Sequence, residues 1–317
     1  MRRVLCVGHA VQDFIFRTPQ LPRSAEKHRA TGFRAVGGGP AATAAVAIAR
    51  LGGAARLAAR VGDDAIADAI AAELLDFGVD CRHLRRFAGH QSSLSAVFID
   101  DAGERLIVNH TDPAMPTDPA WLLAEIDWQD VNAVLADTRW PEGAEAVLRM
   151  ARARGLPAVL DADVPVPKDG RLLAAATHVA FSLAGLRDFS GCGDDPHDIE
   201  AALRGIAASV RSWCGVTLGA QGVAIADGRY GDTLNGVALD GDALPVQYVP
   251  AFRVTPVDTL GAGDVWHGAF ALALAEHCSE HEAVRAACAA AAVKVTRHGG
   301  RAGAPTRAER DSLLEKT

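Results

Sequence analysis

The sequence predicts an α/β protein with a mainly parallel central sheet, helices on both faces and a small β-sheet lid. Three observations lead there. Short apolar runs alternate with helix-period stretches, glycine and proline punctuate the joins, and two regions break the alternation with strands that keep one polar face. A parallel sheet is covered by helices on each side, so its strands read as continuous apolar runs.

In chain order, Val4–Val7 is the first such run, followed by 131–136, 158–160, 179–181 and 216–218, with helical stretches between most of them. The segment V-G-G-G-P-A-A-T-A-A-V-A-I-A-R-L-G-G predicts a helix with Pro40 at its first position and Gly52 just past its end. The two exceptions lie at about 13–36 and 92–109. In the second, S-L-S-A-V-F-I-D, a D-D-A-G turn and E-R-L-I-V-N form a hairpin pattern. These two segments are expected to form the lid. With no repeat, low-complexity tract or long linker, residues 1–317 are expected to be one domain.

Composition narrows the function. The chain of 317 residues is 49% hydrophobic and 22% charged, enough for a large core, and its formal net charge of -7 with no basic block speaks against nucleic-acid or membrane-surface binding. Six scattered cysteines without a C-x-x-C pair read as reduced core residues, which points to the cytoplasm. The apolar run before His9 is too short for a signal peptide, and no stretch suits a membrane span.

The most chemically informative segment is V-D-T-L-G-A-G-D-V-W-H-G-A-F at 257–270. Gly261 and Gly263 let backbone N–H groups face an anion, and the following helix adds the positive end of its dipole. Asp264 falls in the first helical turn, where it could take a proton from a hydroxyl while those N–H groups stabilise a transferring phosphate. An isolated G-A-G-D also fits a plain helix start with Asp264 as a cap. No G-x-x-x-x-G-K-[ST] occurs, which excludes a P-loop kinase.

D-T-L-G-A-G-D followed by a small apolar helix resembles the C-terminal signature of the ribokinase, or PfkB, family of carbohydrate kinases. The resemblance implies a ribokinase-like fold, Asp264 as catalytic base, and Gly261, Ala262 and Gly263 as the anion hole. It implies Asp13, Gly38 and Gly39 at the sugar, and Thr217, Gly219 and Gly222 of V-T-L-G-A-Q-G-V along ATP, with His298 near the adenine. The family's usual Asn is Ala42 here, and its Asn-x-x-Glu is replaced by Ser182 and Gly185, so the ligands of Mg2+ are left open. A monovalent cation near Asp258 and 294–300 is a further expectation from relatives.

Arg139 follows the strand run 131–136, where a planar guanidinium suits a sulfonate, phosphate or carboxylate. With Lys27 and Asn109 it suggests an anion pocket. Within the family, V-G-G-G-P-A-A-T-A-A-V-A, V-L-A-D-T-R-W and G-G-R-A-G-A-P resemble the sulfofructose kinases of bacterial sulfoquinovose breakdown, with weaker likeness over 182–200 and 227–250. That resemblance implies sulfonate contacts from Lys27, Asn109 and Arg139, and phosphorylation of the 1-hydroxyl of 6-deoxy-6-sulfofructose. Kinases of fructose 6-phosphate, keto-deoxy gluconate, fructose or ribose, and a non-catalytic sugar sensor, are the alternatives. A homodimer paired through the lid is expected.

Overall fold

The computed structural model describes residues 1–230 and 244–316. Part of the weakly matching stretch 227–250 thus lies outside the described residues. Among the described residues, nine strands form the large sheet: β1 (Arg3–Gly8), β4 (Ala54–Gly62), β5 (Asp80–Phe87), β8 (Ala133–Asp137), β9 (Ala158–Ala162), β10 (His178–Ser182), β11 (Trp213–Thr217), β12 (Val223–Asp227) and β13 (Val246–Val249). Their order is β13-β12-β11-β10-β9-β8-β1-β4-β5. All pairs are parallel except β11–β12 and β12–β13.

Strand β1 shows why the sheet needs cover on both faces. Val4 and Cys6 enter one core with helices α1 (Pro40–Arg50), α2 (Ala65–Asp76), α8 (Ala262–Ala275) and α9 (Glu280–Val295). Leu5 and Val7 enter the other, with α4 (Pro141–Ala153) and α7 (Pro196–Val210). A side-chain period of two makes consecutive apolar residues serve opposite faces. Helix ends follow local chemistry: Ser279 with Glu282 closes a capping box at the start of α9, and Asp64 caps α2. Such a cap stabilises by about 1 kcal/mol.

The five sequence runs fall on β1, β8, β9, β10 and β11, but the last strand starts earlier than expected and ends at Thr217. Leu218 has left the sheet to donate its N–H to the Gly222 carbonyl, so V-T-L-G reads as strand plus turn. β4 and β5 carry arginines among their apolar residues, which hides them from a search for apolar runs.

The remaining strands, β2 (Val11–Arg17), β3 (Gly32–Gly38), β6 (Leu94–Ile99) and β7 (Arg105–His110), make a separate four-stranded sheet in the order β3-β2-β6-β7. The D-D-A-G turn works through Asp100, whose Oδ1 accepts from the N–H groups of Ala102 and Glu104. All six cysteines are free, and among the described residues no helix is long and apolar enough to cross a membrane.

Candidate active site

Helices α1 and α8 bring their N-termini together at the carboxyl ends of the central strands. Small residues permit this: a Cβ on Gly268 would lie 2.6 Å from the Ala44 carbonyl oxygen, so the backbones touch. Gly39 caps α1 with φ of 91°, and a side chain there would strike the His9 carbonyl at 2.4 Å. Gly261, with φ of 75°, caps α8 and leaves Asp264 in the first turn. Val265 N–H is the first to bond back into the helix, to Gly261. The N–H groups of Gly261, Gly263 and Asp264 have no internal acceptor among the described residues, whereas that of Ala262 donates to Thr259 at 3.2 Å. The donors of the turn left open toward a ligand are therefore those flanking Ala262, while the expected Ala262 donor already has an acceptor inside the turn.

Carboxylates gather under this turn. Asp137 and Asp161 are register partners on β8 and β9, both buried. Asp137 accepts from the N–H of His9 and Ala41 through Oδ2 and of Arg139 through Oδ1, tying the end of β1, the start of α1 and the Arg139 turn to one carboxylate. Asp161 has one buried oxygen, Oδ1, without a partner, while Oδ2 lies 3.4 Å from His267 Nδ1. Burial, with Asp137 and Asp163 nearby, pushes the Asp161 pKa well up. Asp264 keeps part of its surface open. Burial first and the Asp161 charge second push its pKa up to about 7. His267 donates through Nε2 to the Ala180 carbonyl, and burial lowers its pKa.

Two cavities flank the α8 N-terminus. One of about 520 Å³ is lined by Thr217, Gly219 and Gly222 together with Ala262, Gly263 and Trp266. The other, about 500 Å³, opens between the small sheet and the body, walled by Ile15, Arg17, Val36 and Arg105 on one side and Asp258, Leu260 and Gly300 on the other. The turn thus stands between them, with Leu260 facing one and Ala262 the other. His298 lines the second cavity rather than the first, with Thr217 and Gly219 in the first; its neighbour Gly299 is held by the Asp258 carboxylate on the small-sheet side.

On the small sheet, Asp13, Ser95 and Asn109 occupy one cross-strand row and so share a face. Asp13 lies over Gly38, where a Cβ would meet its Oδ2 at 2.3 Å. Burial raises the Asp13 pKa, opposed by a hydrogen bond from Ser95 and the charge of Arg301. Arg139 makes a 3.5 Å contact with Asp163, whose other oxygen accepts from Ser182 at 2.6 Å. Ser182 also caps α6 (Leu183–Ser190). Lys27 is exposed on the connection between β2 and β3 and is not brought to the acidic group; Ala42 is buried in α1.

Sequence reading missed several residues of this region: Asp137, Asp161, Asp163, His267, Lys294 and Arg301. Asp137 and Asp161 at strand carboxyl ends were open to the rule that ligands gather there. Arg301 gave no such signal. It is buried, pairs its Nε with Glu73 at 3.0 Å, and occupies the place of a side chain on Gly37, whose Cβ would lie 1.5 Å from Nη2.

Comparison with known proteins gives the family. Residues 1–307 match the model of the pfkB family carbohydrate kinases. Ribokinase of Bacillus subtilis is 28% identical, covering 99% of this chain and 100% of the relative; ribokinase of Haemophilus influenzae is 26% identical with 99% of each covered. An Agrobacterium tumefaciens structure assigned as a ribokinase superposes with a TM-score of 0.85 at 36% identity, covering 99% and 98% of the two chains. Arabidopsis thaliana ribokinase, solved with ribose and ATP, gives 0.82 at 25% identity over 99% and 98%. The chain belongs to the PfkB family of carbohydrate kinases.

Proposed function

We propose that the protein transfers the γ-phosphoryl group of ATP to the 1-hydroxyl of an anionic ketose, 6-deoxy-6-sulfofructose. The observation that carries the choice of an anion is Arg139, a guanidinium at the end of β8 whose described side-chain contact is a single one, at 3.5 Å to Asp163. Its remaining donors suit a tetrahedral oxyanion. Asn109 on the Asp13 row supports it, and Lys27 would join when the connection between β2 and β3 folds over the sugar.

The cavity lined by Thr217, Gly219 and Gly222 would take the nucleotide, with its phosphates toward Gly263. Asp13 would accept hydrogen bonds from the sugar hydroxyls. Asp264 would remove the proton of the attacking hydroxyl, and the N–H groups of Gly261 and Gly263 would hold charge on the transferred phosphoryl. The small sheet would act as the lid that excludes water, which otherwise competes as acceptor.

Magnesium fits as a passenger of ATP. Asp163 and Asp264 offer hard carboxylate oxygens, directly or through water, and among the described residues no three His, Cys, Asp or Glu are arranged to hold a metal alone. When bound, the ion neutralises phosphate charge.

The outer face of the lid carries the row Phe33, Phe16, Phe98 and Leu106, continued by Val108. Phe33 and Val108 are 56% and 59% exposed. This apolar face supports a homodimer. Six free cysteines support a reducing, cytoplasmic location.

A second reading, a ribose kinase, is favoured by the ribokinases among the relatives. ADP release with MgATP against sulfofructose, fructose 6-phosphate, fructose, ribose and keto-deoxy gluconate decides. A higher kcat/KM for sulfofructose supports the anion pocket, ribose as best acceptor removes it, and no turnover with any sugar revives the sensor.

A further inference from the structure

Lys294 is a fully buried lysine in the last turn of α9, and its position has a consequence for the transfer turn. Its Nζ donates to the Asp258 carbonyl at 2.7 Å and lies 3.5 Å from that residue's Oδ2. The Asp258 carboxylate also accepts from Leu260 N–H at 2.9 Å and from Gly299 N–H at 3.2 Å. The backbone N–H groups of Val257 and Asp258 both reach the Val295 carbonyl. One carboxylate thus fixes the entrance to the Gly261–Gly263 turn, the end of α9 and the segment at 299–300.

Left alone, that carboxylate would set a negative charge beside a turn built to receive phosphate, and repulsion would oppose the transfer. A positive group is needed there, and a dissociable monovalent cation would serve. In this chain the position against the Asp258 carbonyl and carboxylate is taken by an ammonium on a side chain. The cations facing Asp258 are Lys294 from α9 and Arg105 from β7, the latter 3.4 Å from Oδ1 across the cleft and partly exposed. Burial lowers the Lys294 pKa while the Asp258 charge opposes it, and Asp258 itself is held below the usual carboxylate range by the hydrogen bonds and charge it receives, against burial.

We infer that the Lys294 ammonium is a tethered cation that positions the phosphoryl-transfer turn, so that turnover does not depend on a dissociable monovalent cation at this place. The inference rests on reading 261–264 as the transfer turn. Lys294 acts through Asp258 and touches no substrate, so it is a positioning residue.

The test begins with the unaltered protein: ADP release in potassium chloride against tetramethylammonium chloride at equal ionic strength is expected to agree within about twofold. Lys294→Ala is expected to lose about 10- to 100-fold in kcat, with a smaller change in acceptor KM, and to recover at least tenfold in potassium, ammonium or methylammonium chloride. Lys294→Met, which fills the space, is expected to lose activity without recovery. Thermal melts without substrate give a reading independent of kinase activity: potassium should raise the midpoint of Lys294→Ala over tetramethylammonium and leave the unaltered protein unmoved. A tenfold potassium activation of the unaltered protein, a potassium-specific shift of its midpoint, or a folded Lys294→Ala that no small cation restores would overturn the inference. If neither variant folds, the two measurements on the unaltered protein decide it. Failure of every sugar together with the expected melts would sink the transfer reading and leave the tethered cation standing.

Discussion

Asp264→Asn tests the proposed base and its cost to the fold together, because the ionised carboxylate that proposal needs is disfavoured where it sits. In the folded protein its pKa is pushed up to about 7, chiefly by burial and then by Asp161. The unfolded chain releases this proton near pH 4. Between those values the folded state holds a proton that the unfolded state has lost, so this group's contribution falls as pH rises and is fully unfavourable above about pH 7. At 1.4 kcal/mol per pH unit the gap corresponds to about 4 kcal/mol. An amide must still be desolvated, and Asp161 shares the field, so roughly 2 kcal/mol is the expected gain for Asp264→Asn at pH 8. Differential scanning calorimetry should show it as a rise of about 4 °C for a chain of this size, shrinking as pH is lowered toward 4. Turnover should fall by about 10²–10⁴ with the loss of a general base. In the unaltered protein kcat/KM should rise with pH up to about 7, as the base becomes ionised. Normal turnover in Asp264→Asn would refute the base assignment; a melting point unchanged at pH 8 would refute the electrostatic argument.

Arg139→Ala should raise KM for an anionic acceptor by at least tenfold, from roughly 1.5–3 kcal/mol per charged hydrogen bond, and leave a neutral sugar nearly unaffected in the same assay. Gly37→Ala places a Cβ where the Arg301 guanidinium lies, so the arginine must leave Glu73; urea unfolding should report a loss of about 1–3 kcal/mol. Phe33→Glu with Val108→Glu puts charges on the apolar outer face of the small sheet; if the proposed dimer forms there, light scattering should report a dimer for the unaltered protein and a monomer for the variant.

The sequence by itself determined the layered α/β class, since apolar strand runs and helix punctuation are local properties that each segment carries unaided. It also determined the helix-start turn at 261–264, because a glycine-rich start with an acid in the first helical turn has its geometry written into adjacent residues. The small sheet was legible for the same reason: its hairpin alternates over a few positions around a turn. Only the tertiary structure decided which distant charges meet. Asp137 and Asp161 become neighbours through parallel pairing of β8 with β9, and Lys294 reaches Asp258 from 36 residues away because α9 packs beside the turn. His298 lies at the other cavity because its neighbour Gly299 is held by Asp258, 41 residues away, on that side. Burial is likewise a collective property: an arginine such as Arg301 reads as a surface residue until a glycine on another element makes room for its guanidinium in the interior.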